Sequence, residues 1–379
     1  MPLNLLERYA AATWTPPFSA SIPADLDEYL ALADIKAIAR RRLGREMHLR
    51  LYGQNALQRD HLSAESGRIL WIHKGTPHVG DSLMDLAARQ LLGESGLKVD
   101  LLTDTHLLPL YQADEIFEHV VDRSENLPCR SDFILLHSAS SRCLVTKLRH
   151  YRRVPFAHMH GFYTGPEFNR TLFGFHRLAT LLGLNESADQ LNARARSVMW
   201  ASDTDRQAIR RAKIPSGAMA IALGGVRDWR TYQRWSEVLD EIRNLGFSLP
   251  PIILVGAENG LAARDRLMVR HQDMGLVDRV AMHTLPEVFT LFEQCALVLA
   301  ADGGLMHVAQ SAGTPVLGLF ARPIRPALRV TAACLTRALQ AGECVDEISP
   351  YEIALQVRSA FLGGELSNGS WQQGVVDIR

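Results

Sequence analysis

The sequence predicts an α/β protein with two Rossmann-like domains, each built on a doubly wound parallel sheet, that face each other across a cleft. From Ile69 onward, short apolar runs alternate with helical stretches, which is typical of parallel strands joined by helical crossovers. The same alternation restarts after Pro215. The length of 379 residues and the apolar content of 47% suit two domains with large cores.

The chain is expected to fall into four parts. A mainly helical extension covers residues 1–66, and the first Rossmann-like domain covers residues 67–210. The second covers residues 211–345, and a C-terminal helix and tail cover residues 346–379.

In the extension, Asp25 is expected to cap a helix that runs toward Arg42. The segment Lys36–Arg50 is basic and amphipathic, with Ile35, Ile38 and Leu43 as its apolar side. Such a helix can dock on anionic lipid. A solvated helix face is the simpler interpretation and is favoured.

The strands follow from the apolar runs. The first domain is expected to contain Ile69–Ile72, Val99–Leu102, Val120–Val121, Phe133–Leu136 and Val154–Ala157, with helices from Asp81 to about Leu92 and after Ser140. The second is expected to contain Met219–Leu223, Ile252–Val255, Val280–Met282, Leu297–Ala300 and Val316–Phe320. After the strand at Met219, one buried helix face is predicted from the spacing of Trp235, Val238, Leu239, Ile242 and Leu245.

Composition excludes several classes of function. Lys plus Arg equals Asp plus Glu at 41 each, so no overall charge attracts nucleic acid. The five cysteines are scattered, which indicates a reducing compartment without a disulfide framework. The first 30 residues show no signal-peptide pattern and no run of 18 apolar residues occurs, so a cytoplasmic location is expected.

One loop of the second domain has the features of a phosphate site. Asp302-Gly303-Gly304 follows a predicted buried strand and opens a helix. Paired glycines allow close approach of the backbone, and the free N–H groups at a helix start favour a diphosphate. Asp302 is suited to accept hydrogen bonds from hydroxyl groups. An N-cap aspartate followed by turn glycines explains the same residues.

The run from Asp302 through His307, continuing to Gly313-Thr314-Pro315, resembles the C-terminal signature of glycosyltransferase family 9, the lipopolysaccharide heptosyltransferases. The resemblance extends from about Ile69 to about Phe361. It implies a GT-B fold, an acceptor-binding first domain, and a second domain that binds the nucleotide-sugar donor. The implied activity is inverting transfer of a sugar, such as heptose from ADP-heptose, to a saccharide or glycolipid.

The chain departs from the family pattern at two places in the donor domain. Gly303 stands where the family carries a hydroxyl side chain, and Ala321-Arg322 follows Phe320 where the family continues with glycine.

The resemblance also implies a catalytic base. Gly80-Asp81 is similar to the family's Gly-Asp pair, in which the aspartate deprotonates the acceptor hydroxyl. One carboxylate near the nucleophile is what such a transfer needs. The alternative is that Asp81 only caps its helix.

Four residues are assigned to the acceptor side. Lys74 and His78 lie beside Asp81 in the sequence and are expected to bind an anionic acceptor. His158 and His160, past a strand end, are placed on the same side. A metal between these two histidines is disfavoured because no third ligand accompanies them.

The remaining donor residues lie in loops after strands. Gly225 belongs to a small-residue turn, and Arg230 replaces a family lysine that neutralises the leaving diphosphate. Arg227 is the weaker candidate for the same role, and a surface arginine is the alternative interpretation of Arg230. Glu258 is either a ribose ligand or a helix cap, Met282 is expected to line the base pocket, and His307 belongs to the signature.

No metal or other cofactor is expected beside the nucleotide sugar, because Asp203-Thr204-Asp205 is better explained by helix capping. Alternatives remain for the function: another nucleotide sugar, a protein acceptor, or a non-catalytic sugar-nucleotide-binding protein. Peripheral contact with the inner face of a membrane is a further possibility. A dinucleotide oxidoreductase is excluded because G-x-G-x-x-G does not follow the first strand.

Overall fold

The computed structural model describes residues 5–62, 67–162, 166–363, 366, 371 and 374–377. The chain divides into two compact units, Met1–Ala195 and Arg196–Arg379. Each unit contains one parallel sheet with helices between its strands, which confirms the predicted fold class. In the described residues, no helix is both long enough and apolar enough to cross a membrane.

The sheet of the first unit has five parallel strands in the order β3-β2-β1-β4-β5. Its strands are β1 (Arg68–His73), β2 (Lys98–Thr103), β3 (Phe117–Val121), β4 (Phe133–Leu136) and β5 (Phe156–His158). Strands β2 and β3 lie on one side of β1, and β4 and β5 lie on its other side. The switch point of the sheet therefore lies between β1 and β4, where loops diverge and ligands usually bind.

The helices of the first unit are α1 (Leu5–Ala11), α2 (Leu26–Leu32), α3 (Ile35–Leu51), α4 (Val79–Asp85), α5 (Arg89–Glu94), α6 (Leu108–Tyr111), α7 (Ser141–His150), α8 (Arg170–Leu182) and α9 (Ala188–Arg194). The single helix expected from Asp25 toward Arg42 is wrong. The chain breaks between α2 and α3, and the side chain of Asp34 caps α3 by accepting from the N–H of Ala37.

The extension is part of the first unit. Bridges pair Ala24 with Phe168 and Gln58 with Phe156. Leu49 of α3 is buried in the same apolar cluster as side chains of β1 and β4. The placement of Leu43 beside Ile38 on one apolar face is wrong, since Leu43 is exposed and Ile38 is buried.

The helix predicted from Asp81 to about Leu92 is interrupted. It ends at Asp85 and restarts at Arg89 as α5. The carbonyl of Leu86 accepts from the backbone N–H and from the guanidinium of Arg89, and this buried arginine also pairs with Asp114 at 2.6 Å. These contacts replace the hydrogen bond that a continuous helix would make at Leu86.

The sheet of the second unit has seven parallel strands in the order β12-β11-β10-β9-β6-β7-β8. The strands are β6 (Ala218–Leu223), β7 (Ile252–Gly256), β8 (Val277–Val280), β9 (Cys295–Ala301), β10 (Val316–Ala321), β11 (Thr336–Ala341) and β12 (Gly374–Asp377). The switch point lies between β6 and β9. The two last strands were not predicted.

The predicted strand Val280–Met282 is displaced, because β8 already ends at Val280. Ala281 adopts a left-handed backbone with φ of 57°, and its N–H donates to the carbonyl of Gly256 at 2.7 Å. An L-residue rarely adopts this conformation, and it cannot continue a strand.

The helices of the second unit are α10 (Asp203–Ala212), α11 (Trp235–Asn244), α12 (Leu261–Arg270), α13 (Leu285–Phe292), α14 (Gly304–Ser311) and α15 (Pro350–Leu362). The buried face of α11 has the predicted residues from Trp235 to Ile242, whereas Leu245 lies just beyond its end. The sequence placed α10 at the end of the first domain, but α10 packs against α13. Ser202 and Asp205 form a capping box at its start, which confirms helix capping in this segment.

Candidate active site

A cavity of about 460 Å³ opens at the switch point of the first sheet. The loops after β1 and β4 form its floor, and helices α3, α4, α7 and α8 add side chains. Its lining residues are Arg45, Lys74, Gly75, Thr76, Pro77, Asp81, His137, Ser138, Ser140, Ser141, Arg142 and Arg170.

Asp81 is a carboxylate on the wall of this cavity. It lies in the first turn of α4, whose N-cap residue is His78, so Asp81 is not the N-cap itself. Its side chain is 24% exposed, and Nε of Arg170 lies 3.9 Å from Oδ1. A partly exposed carboxylate in this position is within reach of a hydroxyl group bound in the cavity and could accept its proton.

Four basic residues line the cavity together with Asp81. The ammonium group of Lys74 already donates to the carbonyl oxygens of Thr103 and Asp122. The arginines are Arg45, Arg142 and Arg170, and of these Arg142 is exposed and lies across Gly75. Sequence reasoning missed these arginines, because each comes from a helix far from Asp81 along the chain.

A buried network lies behind Arg170. Asp85 is fully buried, and both of its oxygens lie 3.2 Å from Nη1 of Arg170. Nε2 of His137 lies 3.2 Å and Nε2 of His73 lies 3.7 Å from Oδ2. Burial opposes the charge of Asp85, but Arg170 and the two histidines outweigh it and hold its pKa well below the usual value. Asp85 thereby fixes Arg170 next to Asp81.

Part of this network has the composition of a metal site. Ligand atoms of His73, Asp85 and His137 all lie within 4.8 Å of one another. Burial, and to a smaller extent the neighbouring His137, lowers the pKa of His73 to about 4, so its imidazole is neutral. Because Asp85 is already engaged by Arg170, these side chains have partners without an ion. The absence of a metal from the reaction stays a prediction.

Three of the four predicted acceptor residues do not line the cavity of Asp81. His78 is exposed at the start of α4. His158 lines a separate cavity of about 290 Å³ beside Arg177, and His160 is buried against the rings of His137 and Phe173. Burial, followed by the nearby cations, lowers the pKa of His158 to about 3. Only Lys74 is brought together with Asp81.

In the second unit, the loops after β6 and β9 meet at the switch point. Nη2 of Arg230 donates to Oδ2 of Asp302 at 2.8 Å, and Nε donates to its backbone carbonyl at 3.1 Å. Asp302 is 2% exposed, whereas Arg230 is 27% exposed. Two residues expected to contact different parts of a donor are therefore paired with each other.

The second oxygen of Asp302 faces two further basic groups. Nε of Arg329 lies 3.8 Å and Nε2 of His307 lies 3.9 Å from Oδ1. Among the described residues, this buried Oδ1 has no hydrogen-bond partner. Arg329 was missed because it lies in an irregular segment after β10 that carries no recognisable pattern.

The loop after β6 contacts the loop after β7. The side chain of Asn259 donates to the carbonyl of Gly225 at 2.8 Å, and a Cβ at Gly225 would clash with Thr231. Gly224 has a left-handed φ of 82°, which also favours glycine. This contact places Glu258, which is exposed, beside the turn of Gly225. Met282 is exposed, next to the left-handed Ala281.

The signature residues surround the start of α14. Gly303 is the N-cap residue with an extended backbone, and Gly304 begins the helix. A Cβ on Gly303 would have the carbonyl oxygen of Ala301, at 3.8 Å, as its nearest neighbour, so there is room for the hydroxyl side chain that is usual in the family. His307 is buried, and its Nδ1 lies 3.0 Å from Oε1 of Gln310, so it supports Asp302 from inside the fold.

Comparisons with known proteins concern the family and the fold. Residues 183–352, which include the donor loops, match the family model of glycosyltransferase family 9 (heptosyltransferase). No significant match to a curated protein sequence was found.

Three solved structures share the fold. A family 9 glycosyltransferase from Veillonella parvula is 12% identical, with a TM-score of 0.65 over 80% of this chain and 100% of that chain. The ADP-heptose lipopolysaccharide heptosyltransferase II of E. coli is 14% identical, with a TM-score of 0.60 over 79% and 99%. The E. coli heptosyltransferase WaaC with ADP is 13% identical, with a TM-score of 0.58 over 77% and 99%.

The family match covers the loops that carry Arg230 and Asp302, and the solved structures share the two-sheet fold. The region 183–352 is thus similar to glycosyltransferase family 9, and the chain has the two-sheet GT-B fold.

Proposed function

We propose that the chain transfers heptose from ADP-heptose to a hydroxyl group of an anionic saccharide or glycolipid, such as a lipopolysaccharide core, with inversion at the anomeric carbon. The observation that carries this proposal is Asp81, a partly exposed carboxylate in a cavity lined by cations. The donor is supported by the solved heptosyltransferases, which are described with ADP and with ADP-2-deoxy-2-fluoro heptose.

Asp81 acts as the general base in this reaction. It accepts the proton of the acceptor hydroxyl while that oxygen forms a bond to the anomeric carbon. The bond from this carbon to the diphosphate oxygen breaks on the opposite face, and ADP leaves with the electron pair. A positioned base of this kind contributes about 10²–10⁴ in rate.

The second unit supplies the donor contacts. Arg230 and the N–H groups at the start of α14 neutralise the diphosphate, so the proposed reaction needs no metal. When Arg230 exchanges its contact with the Asp302 carboxylate for the diphosphate, this carboxylate, whose Oδ1 has no hydrogen-bond partner among the described residues, accepts from a sugar hydroxyl. Glu258 contacts the ribose, Met282 lines the base pocket, and Gly225, Gly303 and Gly304 let the backbone approach the phosphates.

The charge of the cavity favours an acceptor with phosphate or carboxylate groups. Arg45, Arg142 and Arg170 line it, and Asp81 is the only acidic side chain among its lining residues. Arginine binds such groups through paired hydrogen bonds. His78, His158 and His160 remain predicted acceptor contacts, but the cavity does not include them. A different nucleotide sugar or a protein acceptor are the alternatives for the substrates.

The location that fits this reaction is the cytoplasmic side of a membrane, reached by peripheral contact. The five cysteines are all free, which is usual for proteins of a reducing compartment.

The replacement Asp81→Asn tests the proposal. We expect transfer to slow by about 10²–10⁴, while ADP-heptose binding stays unchanged because the donor loops lie in the other unit. Transfer is followed by ADP release with lipopolysaccharide-core acceptors, and binding by calorimetry. Glu167→Gln is the matched control, since Glu167 also lies near Arg170, at 3.8 Å.

Two results contradict the proposal. Retention of most activity by the Asp81→Asn variant would show that Asp81 is not the base. Binding of ADP-heptose without any transfer to anionic saccharides would instead support a sugar-nucleotide-binding protein.

A further inference from the structure

Helix α3 has two apolar faces, and only one of them is packed. Ile38 and Ala39 form a small core with Ala10 of α1, and Leu49 belongs to the core of the first sheet. The other apolar residues are Leu43, Met47 and Leu51, which are 50%, 50% and 80% exposed. Their spacing of four residues aligns them in one stripe along the helix.

Basic residues surround this stripe. Lys36 and Arg40 continue it toward the start of the helix, while Arg41 and Arg50 flank it; all four are exposed. The only acidic residue of α3, Glu46, is turned away from the stripe toward α1. It accepts from the hydroxyl of Tyr9 at 2.6 Å and from Nε of Arg42 at 2.8 Å. The exposed face of α3 is therefore apolar and cationic, without an acidic group.

We propose that this face of α3, the stripe of Leu43, Met47 and Leu51 with its flanking cations, docks on a bilayer of anionic lipid. The apolar side chains enter the boundary between headgroups and acyl chains, and the basic side chains reach the lipid phosphates. Charge complementarity selects this occupant, because a neutral surface would offer these four cations no phosphate groups. An exposed stripe of large apolar residues is otherwise unfavourable in water.

The same helix connects the docking face to the cavity of Asp81. Arg45 lies two residues before Met47, about 200° around the helix, and lines that cavity. Only one helix diameter, about 10–12 Å, then separates the bilayer surface from Arg45. If the proposed function holds, this placement suits an acceptor whose saccharide is attached to a membrane lipid.

Vesicle co-sedimentation of the full chain tests the docking face. We expect binding to vesicles of phosphatidylcholine mixed with phosphatidylglycerol, and little binding to phosphatidylcholine alone. Replacing Leu43, Met47 and Leu51 together by serine should abolish binding. Replacing Arg40 and Arg41 by glutamine should lower the partition coefficient by about twenty-five-fold, because each cation near an anionic surface contributes about fivefold.

The matched controls are the same kinds of substitution at exposed positions of the second unit. Val269→Ser and Leu362→Ser change exposed apolar residues of the second unit, and Arg358→Gln removes an exposed cation there. These variants should bind vesicles like the unchanged chain. Circular dichroism of all variants should be measured to check that each variant keeps its fold.

Three outcomes would overturn the proposal: equal binding to both kinds of vesicle, full binding by the triple serine variant, or no binding to anionic vesicles. Self-association that the triple serine variant abolishes, without vesicle binding, would show instead that the face joins two copies of the chain. Transfer to a water-soluble acceptor should be unchanged in these variants. Failure of the docking proposal is thus distinguishable from failure of the proposed reaction.

Discussion

Replacing Arg230 by alanine is expected to weaken the binding of both ADP and ADP-heptose by about ten- to a hundredfold. Both molecules carry the diphosphate, and a hydrogen bond to a charged group contributes about 1.5–3 kcal/mol. In the absence of donor, Arg230 is held by two contacts with Asp302, one to the carboxylate and one to the backbone carbonyl. The arginine must exchange the carboxylate contact for the phosphate when the donor binds.

Replacing Asp302 by alanine should have a different effect. The contact of Nε with the carbonyl of residue 302, at 3.1 Å, involves only the backbone and survives the substitution. Arg230 therefore stays near its position, and ADP affinity is not expected to fall. Affinity for ADP-heptose should fall, because the variant has lost the acceptor for sugar hydroxyls.

Calorimetric titration of both single variants and of the double variant with ADP and with ADP-heptose separates these roles. Arg227→Ala is the control, since Arg227 is an exposed arginine of the same loop. The double variant should bind ADP like Arg230→Ala. The reasoning is refuted if Asp302→Ala lowers ADP affinity as much as Arg230→Ala does. The carboxylate would then serve to hold Arg230, and the sugar would lie elsewhere.

Two further predictions concern metal and pH. EDTA should leave transfer unchanged, because Arg230 and the start of α14 neutralise the diphosphate. Inhibition that Mg²⁺ or Mn²⁺ reverses would contradict this prediction. It would make His73, Asp85 and His137 the candidate ligands of a metal. Lowering the pH from 7 to 5 should reduce the free energy of unfolding by about 2 kcal/mol through His158 alone. The pKa of His158 is about 3 in the folded chain and about 6.5 in the unfolded chain. Only the unfolded chain therefore gains a proton at this residue between pH 7 and pH 5. Thermal unfolding of the His158→Leu variant should then depend less on pH, and an unchanged pH dependence would contradict the prediction.

The strands and the loops after them were predictable because buried parallel strands are continuous apolar runs. The sequence did not show which loops become neighbours. Arg230 meets Asp302 only because β9 pairs with β6, although β7 and β8 lie between them in the chain. Strand order depends on the packing of the whole sheet, and no local pattern encodes it.

The acceptor side was less predictable for a related reason. Lys74 and His78 were chosen because they are close to Asp81 in the sequence. The cavity is instead lined by Arg45, Arg142 and Arg170, which lie on three separate helices. An isolated arginine in a helix carries no signal of its function, since most such residues are solvated.

Helix α3 shows a different limit of prediction from the sequence. A periodicity argument assumes one buried face, so it grouped Leu43 with Ile38. The actual helix divides its apolar residues between a packed face and an exposed one. Such a division lowers the apparent amphipathicity of the sequence, and only the packing of α1 against α3 shows which residues remain exposed.

Each switch point pairs one carboxylate with one arginine, and the geometry of the two pairs explains why Asp81 rather than Asp302 is the proposed base. Asp302 is almost fully buried, and its Oδ2 already accepts from Arg230 at 2.8 Å. Asp81 is more exposed, and the nearest nitrogen of Arg170 is 3.9 Å away because Asp85 holds that guanidinium. A base needs a lone pair open toward its substrate, and a guanidinium at this distance does not occupy that lone pair. Asp81 meets this condition, whereas Asp302 is placed to hold and orient a ligand.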